Sequence, residues 1–254
     1  MEWLDRFTIV MDSVSEATVD GIGISQLSRD SEISKSTLHR MLKSMIEKEL
    51  VAQNEVTKNY YLGPRAMQWG SRFIQSQDPS ERLRTYCKDV AKVTGLYTYL
   101  SKYQANQVYC IYSYQPSNIR NNYFVRVGQQ MPAHCSSSAK AILAYKSESE
   151  FIKMAGGEPY DVFTSHTIRD ASALSDELQK VRKEQIAYCL EEMETGISAI
   201  SIPFFHSQQE TDVCLSVVGD SNTILKNMEE IKVELKSTAK KASHYLQNAQ
   251  ILGV

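Results

Sequence analysis

Six side chains within nine residues have the chemistry to grip a nucleic acid: Lys35, Ser36, Thr37, His39, Arg40 and Lys43. Ammonium, guanidinium, imidazole and hydroxyl groups donate to phosphate oxygens and to the acceptor edges of bases in the major groove. Ser34 stands directly before them as an N-cap, with Thr37 three residues on. Leu38, Met41, Leu42, Met45 and Ile46 fall at i, i+3, i+4, i+7 and i+8. A helix over 34–48 therefore carries these apolar residues on one stripe and the donors on the opposite, early face. A shorter helix over 25–30 and a tight turn precede it, which makes a helix-turn-helix whose second helix would enter a major groove. The same pattern suits an amphipathic helix with a solvated face, because such motifs are short and degenerate.

Other reactive residues form weaker constellations. His134 and Cys135 are adjacent and invite a thiolate–imidazole reading, yet catalytic pairs come from distant segments. The five histidines (His39, His134, His166, His206, His244) have no metal-ligand spacing, and no glycine-rich phosphate loop is present. No cofactor, metal or catalytic residue is expected. The five cysteines (Cys87, Cys110, Cys135, Cys189, Cys214) are odd in number, widely spaced and without a CxxC pair, which fits a reducing compartment. Ser136, Ser137 and Ser138 open a helix. They offer donors to a carboxylate beside unpaired backbone N–H groups, or they only cap the helix.

Composition bounds these readings. A chain of 254 residues with 42% hydrophobic and 23% charged residues is an ordinary globular protein of one to two domains. The net charge of −2 excludes a polyanion binder over its whole surface. Between residues 33 and 65, six basic residues (Lys35, Arg40, Lys43, Lys48, Lys58, Arg65) face three acidic ones (Glu47, Glu49, Glu55), a local excess suited to phosphate contacts when two copies act together. No basic-then-apolar leader and no membrane-length apolar run are seen, so a cytoplasmic protein without membrane contact is expected.

The elements that would position these groups follow from periodicity. Trp3, Phe7, Val10, Met11 and Val14 keep helical spacing over 2–15 and supply a third helix for the small core. After the motif, 50–53 and 59–62 are β-like and flank a turn, as in a winged helix, with Lys58 and Asn59 in the wing. A helix over 65–76, with Met67, Trp69, Phe73 and Ile74, ends at a turn over 77–80, where a domain boundary is placed. Trp69 serves packing there or pairing with a second copy. The remainder predicts a helix over 80–94, strands over 96–103, 107–114 and 122–127, and helices over 136–145, 149–155 and 171–185. Strands over 187–190, 198–205 and 213–218 follow, then one long helix over 222–248. Tyr97, Tyr99, Tyr109, Tyr112, Tyr114 and Tyr123 fall in the early strands and suit cross-strand packing, with a pocket lining or a subunit contact as the alternatives. Strands in groups with helices between and around them describe an α+β fold with a mostly antiparallel sheet.

The chain resembles the IclR-type transcriptional regulators over essentially its full length. The resemblance is carried by Ser34-Lys35-Ser36-Thr37-Leu38-His39-Arg40-Met41-Leu42, by Tyr61-Leu62-Gly63-Pro64-Arg65, and by Met131-Pro132-Ala133-His134-Cys135 with Ala139-Lys140-Ala141-Ile142-Leu143-Ala144. Glu191-Glu192, Gly196-Ile197, Ile200-Ser201-Ile202-Pro203-Phe204 and Leu215-Ser216-Val217-Val218-Gly219 complete it, in order. It implies a winged helix-turn-helix domain (1–63), a linker helix (64–79) and a GAF-like effector-binding and oligomerisation domain (80–254). It also implies double-stranded operator DNA as partner, a homodimer or dimer of dimers, and a small-molecule effector, often an organic acid. His134, Cys135, Ser136 and Ser137 then belong to the effector loop. In members that sense small oxyacids, four polar positions line the pocket; here they map to Cys189, Ala199, Ser216 and Val218. Only Ser216 keeps its type, so the pocket is more apolar. A larger or less polar effector, or a pocket without a natural ligand, stays open. The alternative class is a small-molecule-binding module or hydrolase whose N-terminal helices serve only assembly.

Overall fold

A computed structural model describes residues 2–17, 19–76, 80–117, 125–157 and 159–251, and the side chains of 74–76 and 249–251 lie outside that description. The chain divides into two compact units, Met1–Gln77 and Asp78–Val254.

The first unit runs α1 (Trp3–Ser15), α2 (Ile24–Ser31), α3 (Lys35–Glu47), β1 (Val51–Gln53), β2 (Tyr60–Leu62) and α4 (Pro64–Ser76). Its core is Val10, Val14, Ile22, Leu27, Ile33, Leu38, Leu42, Met45, Leu50, Val51 and Tyr60. Glu32, in the left-handed region at φ 55°, ends α2 and turns the chain into Ser34, whose hydroxyl accepts from the Thr37 N–H. β1 and β2 pair antiparallel, and Tyr60 exchanges two backbone hydrogen bonds of 2.9 Å with Ile22, which fastens the hairpin to the turn before α2. Gly63 must be glycine, because a Cβ there would lie 2.2 Å from the Glu49 carbonyl oxygen.

Two apolar assignments fail at the ends of their stripes. Trp3, expected in this core, is 69% exposed, and Ile46 is 37% exposed. Each lies where its helix runs past the small core, so the periodicity continues without burial. Met67, Trp69 and Phe73 of α4 are likewise exposed within the unit.

The second unit opens with α5 (Glu81–Thr94), β3 (Tyr97–Gln104) and β4 (Gln107–Tyr114), then α6 (Ser137–Leu143), α7 (Glu148–Ala155) and α8 (Ala171–Glu184). It ends with β5 (Ala187–Leu190), β6 (Ile197–Ser207), β7 (Glu210–Asp220), α9 (Ser221–Lys226) and α10 (Met228–Ile251). The five strands form one antiparallel sheet in the order β4-β3-β7-β6-β5. Side chains alternate across it. Leu100, Ile200, Ile202, Leu215 and Val217 pack with α5 and α10 residues Leu83, Cys87, Ile231 and Leu235. Tyr97, Tyr99, Ala187, Cys189, Ala199 and Val218 point the other way, into a cluster with Ala139, Ile142 and Leu143 of α6 and Leu174 and Leu178 of α8.

The expected strand over 122–127 is not found over 125–127, and 122–124, with Tyr123, lie outside the described residues, as does most of the 77–80 turn. The single helix expected over 222–248 is two: Asp220 caps a short α9 through the Thr223 N–H, and the chain breaks at Asn227 before α10. The asparagine amide donates to the Thr223 carbonyl, a local bond that competes with helix continuation.

Candidate nucleic-acid interface and effector site

On α3, Leu38, Leu42 and Met45 are buried and hold the helix down, while Ser34, Lys35, Ser36, His39, Arg40 and Lys43 are exposed and Thr37 is half-buried. The Ser34 hydroxyl lies 2.9 Å from that of Thr37 and 3.2 Å from that of Ser36, so the first turn is capped by its own side chains. The cationic groups stay in solvent, Lys35 in the first turn, at the positive pole of the backbone dipole, and Arg40 and Lys43 further along the helix. The sequence places these donors on one outward face, and the fold leaves them there.

The two wing residues differ. Lys58 is exposed in a left-handed conformation at φ 60°, at the end of a turn closed by its N–H to the Asn54 carbonyl at 3.0 Å. Asn59 is half-buried, and its amide donates to the Asp20 carbonyl at 2.9 Å. Its side chain ties the wing to the turn before α2, a structural duty that the expected DNA contact did not include.

In the second unit, the four mapped effector positions share one face of the sheet. Cys189 pairs with Ala199 and Ala199 with Val218, and Val218 pairs with Tyr97, giving one row across four strands. The next row is Ala187, Ser201, Ser216 and Tyr99. All eight are buried. The Ser201 hydroxyl donates to Ser137 at 2.8 Å and lies 2.6 Å from Ser216. The Tyr99 phenol joins the same hydroxyls, and burial pushes its ionisation well above the ordinary range. Fully buried hydroxyls are stable here because each has a partner.

The serines that open α6 are engaged in the same way. Ser136 caps the helix through the Ala139 N–H at 3.4 Å and lies 2.9 Å from the Ser138 hydroxyl. His134 stacks on Tyr160 (centroids 4.8 Å apart) and Phe163 (6.0 Å), and its Nε2 lies 2.9 Å from the Asp161 carbonyl. Burial lowers its proton affinity, so near neutrality the ring is uncharged and donates to that carbonyl. Cys135 is fully buried and burial drives its thiol far up, the opposite of an activated nucleophile. Among the described residues, no cluster of histidine, cysteine and carboxylate groups is arranged to hold a metal, and no helix is long and apolar enough to cross a membrane.

Sequence reasoning missed an ion pair beneath this site. Lys140 has no exposed surface, and its ammonium reaches both oxygens of Glu192, at 2.6 and 2.8 Å. The Thr167 hydroxyl donates to the Glu192 carbonyl at 2.6 Å, holding the segment between β5 and β6 that carries it. The signal was present: one lysine in the run Ala139-Lys140-Ala141-Ile142-Leu143-Ala144 demands a buried anion.

Family models place these features. The IclR helix-turn-helix domain matches residues 4–55, and the bacterial transcriptional regulator IclR C-terminal domain matches 71–244. The HTH-type transcriptional regulator XynR of Escherichia coli is 24% identical over 214 residues, 84% of each chain. A solved IclR transcriptional regulator from Alicyclobacillus acidocaldarius is 26% identical with a TM-score of 0.76, covering 96% of this chain and 98% of that one. An IclR homolog from Microbacterium hydrocarbonoxydans, solved with 4-hydroxybenzoate, shares the fold at 20% identity and a TM-score of 0.72, covering 97% of this chain and all of the other. The relatives are regulators rather than enzymes, which removes the hydrolase alternative. With its helix-turn-helix and its C-terminal domain both matched, the chain belongs to the IclR family of bacterial transcriptional regulators.

Proposed function

We propose that this regulator binds operator DNA through α3 and that a small molecule held on the α6 face of the sheet sets its affinity. The observation that carries the DNA half is the outward cationic face of α3 on a closed core. Lys35, Ser36, Thr37, His39, Arg40 and Lys43 meet the major groove beside Ser34, and Lys58 meets a phosphate from the wing. A homodimer, or a dimer of dimers, presents two such helices to a near-palindromic operator in the cytoplasm. Residues 1–63 form the DNA-binding domain, 64–79 the linker, with α4 in it, and 80–254 the effector domain.

For the effector half, Cys189, Ala199 and Val218 with Tyr97 offer an apolar wall and Ser216 a polar end, beside Ser137, Ser136, His134 and Cys135 of the α6 loop. An aromatic or branched organic acid suits that wall better than a two- or three-carbon oxyacid. The 4-hydroxybenzoate in the Microbacterium homolog supports the class. Effector binding then favours one placement of the DNA-binding domains over another.

Fluorescence anisotropy on fragments from upstream of the gene itself tests the first half. Arg40→Ala with Lys43→Ala is expected to abolish specific binding and to reduce the salt slope by about 0.9 per lost phosphate contact. Unchanged specific binding would show α3 misassigned. A thermal-shift panel of aromatic acids against pyruvate tests the second half, and stabilisation by pyruvate alone would reject the apolar wall as the selector.

A further inference from the structure

The DNA-binding unit also holds a concavity that shares only Thr37 and Arg40 with the residues assigned to DNA. A groove of about 660 Å³ runs between α1 and α3, within the size range of small-molecule sites. Its walls are Trp3 and Phe7 on one side and Met41 and Met45 on the other, with Leu50 among the lining residues. Trp3 and Phe7 stack at 5.5 Å with rings 15° apart, yet the tryptophan remains 69% exposed. Lone exposed apolar residues are ordinary, but an aromatic pair continuous with two methionines makes a surface that excludes water poorly by itself.

The rim has one sign of charge. Arg6, Arg40 and Lys48 line the groove with the Thr37 and Ser44 hydroxyls, and no acidic side chain does so among the described residues. None of the three cations makes an ion pair among the described residues. An apolar floor with three unneutralised cations complements one kind of occupant: a molecule with an aromatic or aliphatic body and an anionic head.

We propose that the α1–α3 groove is a ligand site for amphiphilic organic anions, separate from the effector site on the sheet. The body lies between the Trp3–Phe7 pair and Met41–Met45, and the head meets Arg6 and Lys48. Thr37 and Arg40 belong to both this groove and the DNA-facing surface, so occupant and operator compete directly. That competition rests on the assignment of Arg40 to DNA, whereas the binding itself does not.

The test uses the full chain with 8-anilinonaphthalene-1-sulfonate as probe and the uncharged N-phenyl-1-naphthylamine as its control. Trp3 and Trp69 are the two tryptophans, so Trp69→Phe leaves Trp3 as sole donor for energy transfer to the probe. Saturable binding with quenching of Trp3 is expected, at least tenfold tighter for the sulfonate than for the uncharged probe. Arg6→Glu with Lys48→Glu, checked for fold by circular dichroism, is expected to weaken the sulfonate at least tenfold. Duplex operator is expected to displace it. No quenching of Trp3, equal affinity for the two probes, or affinity unchanged by the double substitution would each overturn the site. So would binding seen only on dilution below the dimer range, because a second copy would then fill the groove. Simultaneous binding of probe and operator would overturn the competition. Operator binding without probe is measured in the same samples, so failure of the DNA assignment is seen separately.

Discussion

Replacing Lys140 by methionine keeps the length of the side chain and removes the cation facing Glu192. Lys140 has a fully buried side chain and that of Glu192 is 11% exposed, so water does not take over the lost partner. Breaking such a pair costs about 3–5 kcal/mol, because one charge stays buried and uncompensated. For a unit of this size, that corresponds to a fall in melting temperature of roughly 6–20 °C. The pH dependence follows from the carboxyl. Burial already raises the Glu192 pKa above its ordinary 4.5, and Lys140 opposes that rise. Without the ammonium the folded-state value climbs further, while the unfolded value stays where it was. The folded variant then binds a proton that the unfolded chain has released, so its stability drops as pH rises above about 4.5 toward the new value. The deficit against the unsubstituted protein is therefore small near pH 4.5 and larger at pH 7.5. Calorimetry of both proteins at the two pH values measures it. Lys140→Met with Glu192→Met removes both charges and is expected to return to within about 1 kcal/mol. A deficit below 1 kcal/mol for the single variant, or one equal at both pH values, would refute the argument.

Three further outcomes follow from the geometry. Gly63→Ala drives a Cβ to 2.2 Å from the Glu49 carbonyl oxygen and is expected to destabilise the first unit by roughly 1–3 kcal/mol or more, read as an earlier urea midpoint; an unchanged midpoint would mean the close approach is easily relieved. Asn59→Ala is expected to lower stability through the lost Asp20 bond, whereas Lys58→Ala lowers operator affinity and leaves the melting temperature unchanged; the reverse pattern would exchange their roles. Burial pushes the thiols of Cys87, Cys110 and Cys214 up to about 12 and that of Cys189 to about 11. With all five cysteines buried, a disulfide reagent at pH 8 is expected to label none quickly in the folded protein and five after denaturation, and one fast thiol would contradict this burial.

Local order was legible in the residues themselves. The α3 stripe, its Ser34 cap, the wing hairpin and the strand pair β3–β4 depend on neighbours a few positions apart, and side-chain periodicity records such relations directly. The motifs carrying the IclR resemblance were equally readable, and both domains are matched. Periodicity names a face but not what meets it, and there tertiary structure decided. Trp3 and Ile46 keep the apolar spacing yet lie beyond the reach of a small core. Asn59 bonds to Asp20, 39 residues away, and Lys140 to Glu192, 52 residues away. The row Cys189–Ala199–Val218–Tyr97 exists only because strand order brings distant segments side by side in one register. A buried polar group announces that it needs a partner, but only the folded chain chooses which one, because that choice is made by packing between segments that share no local pattern.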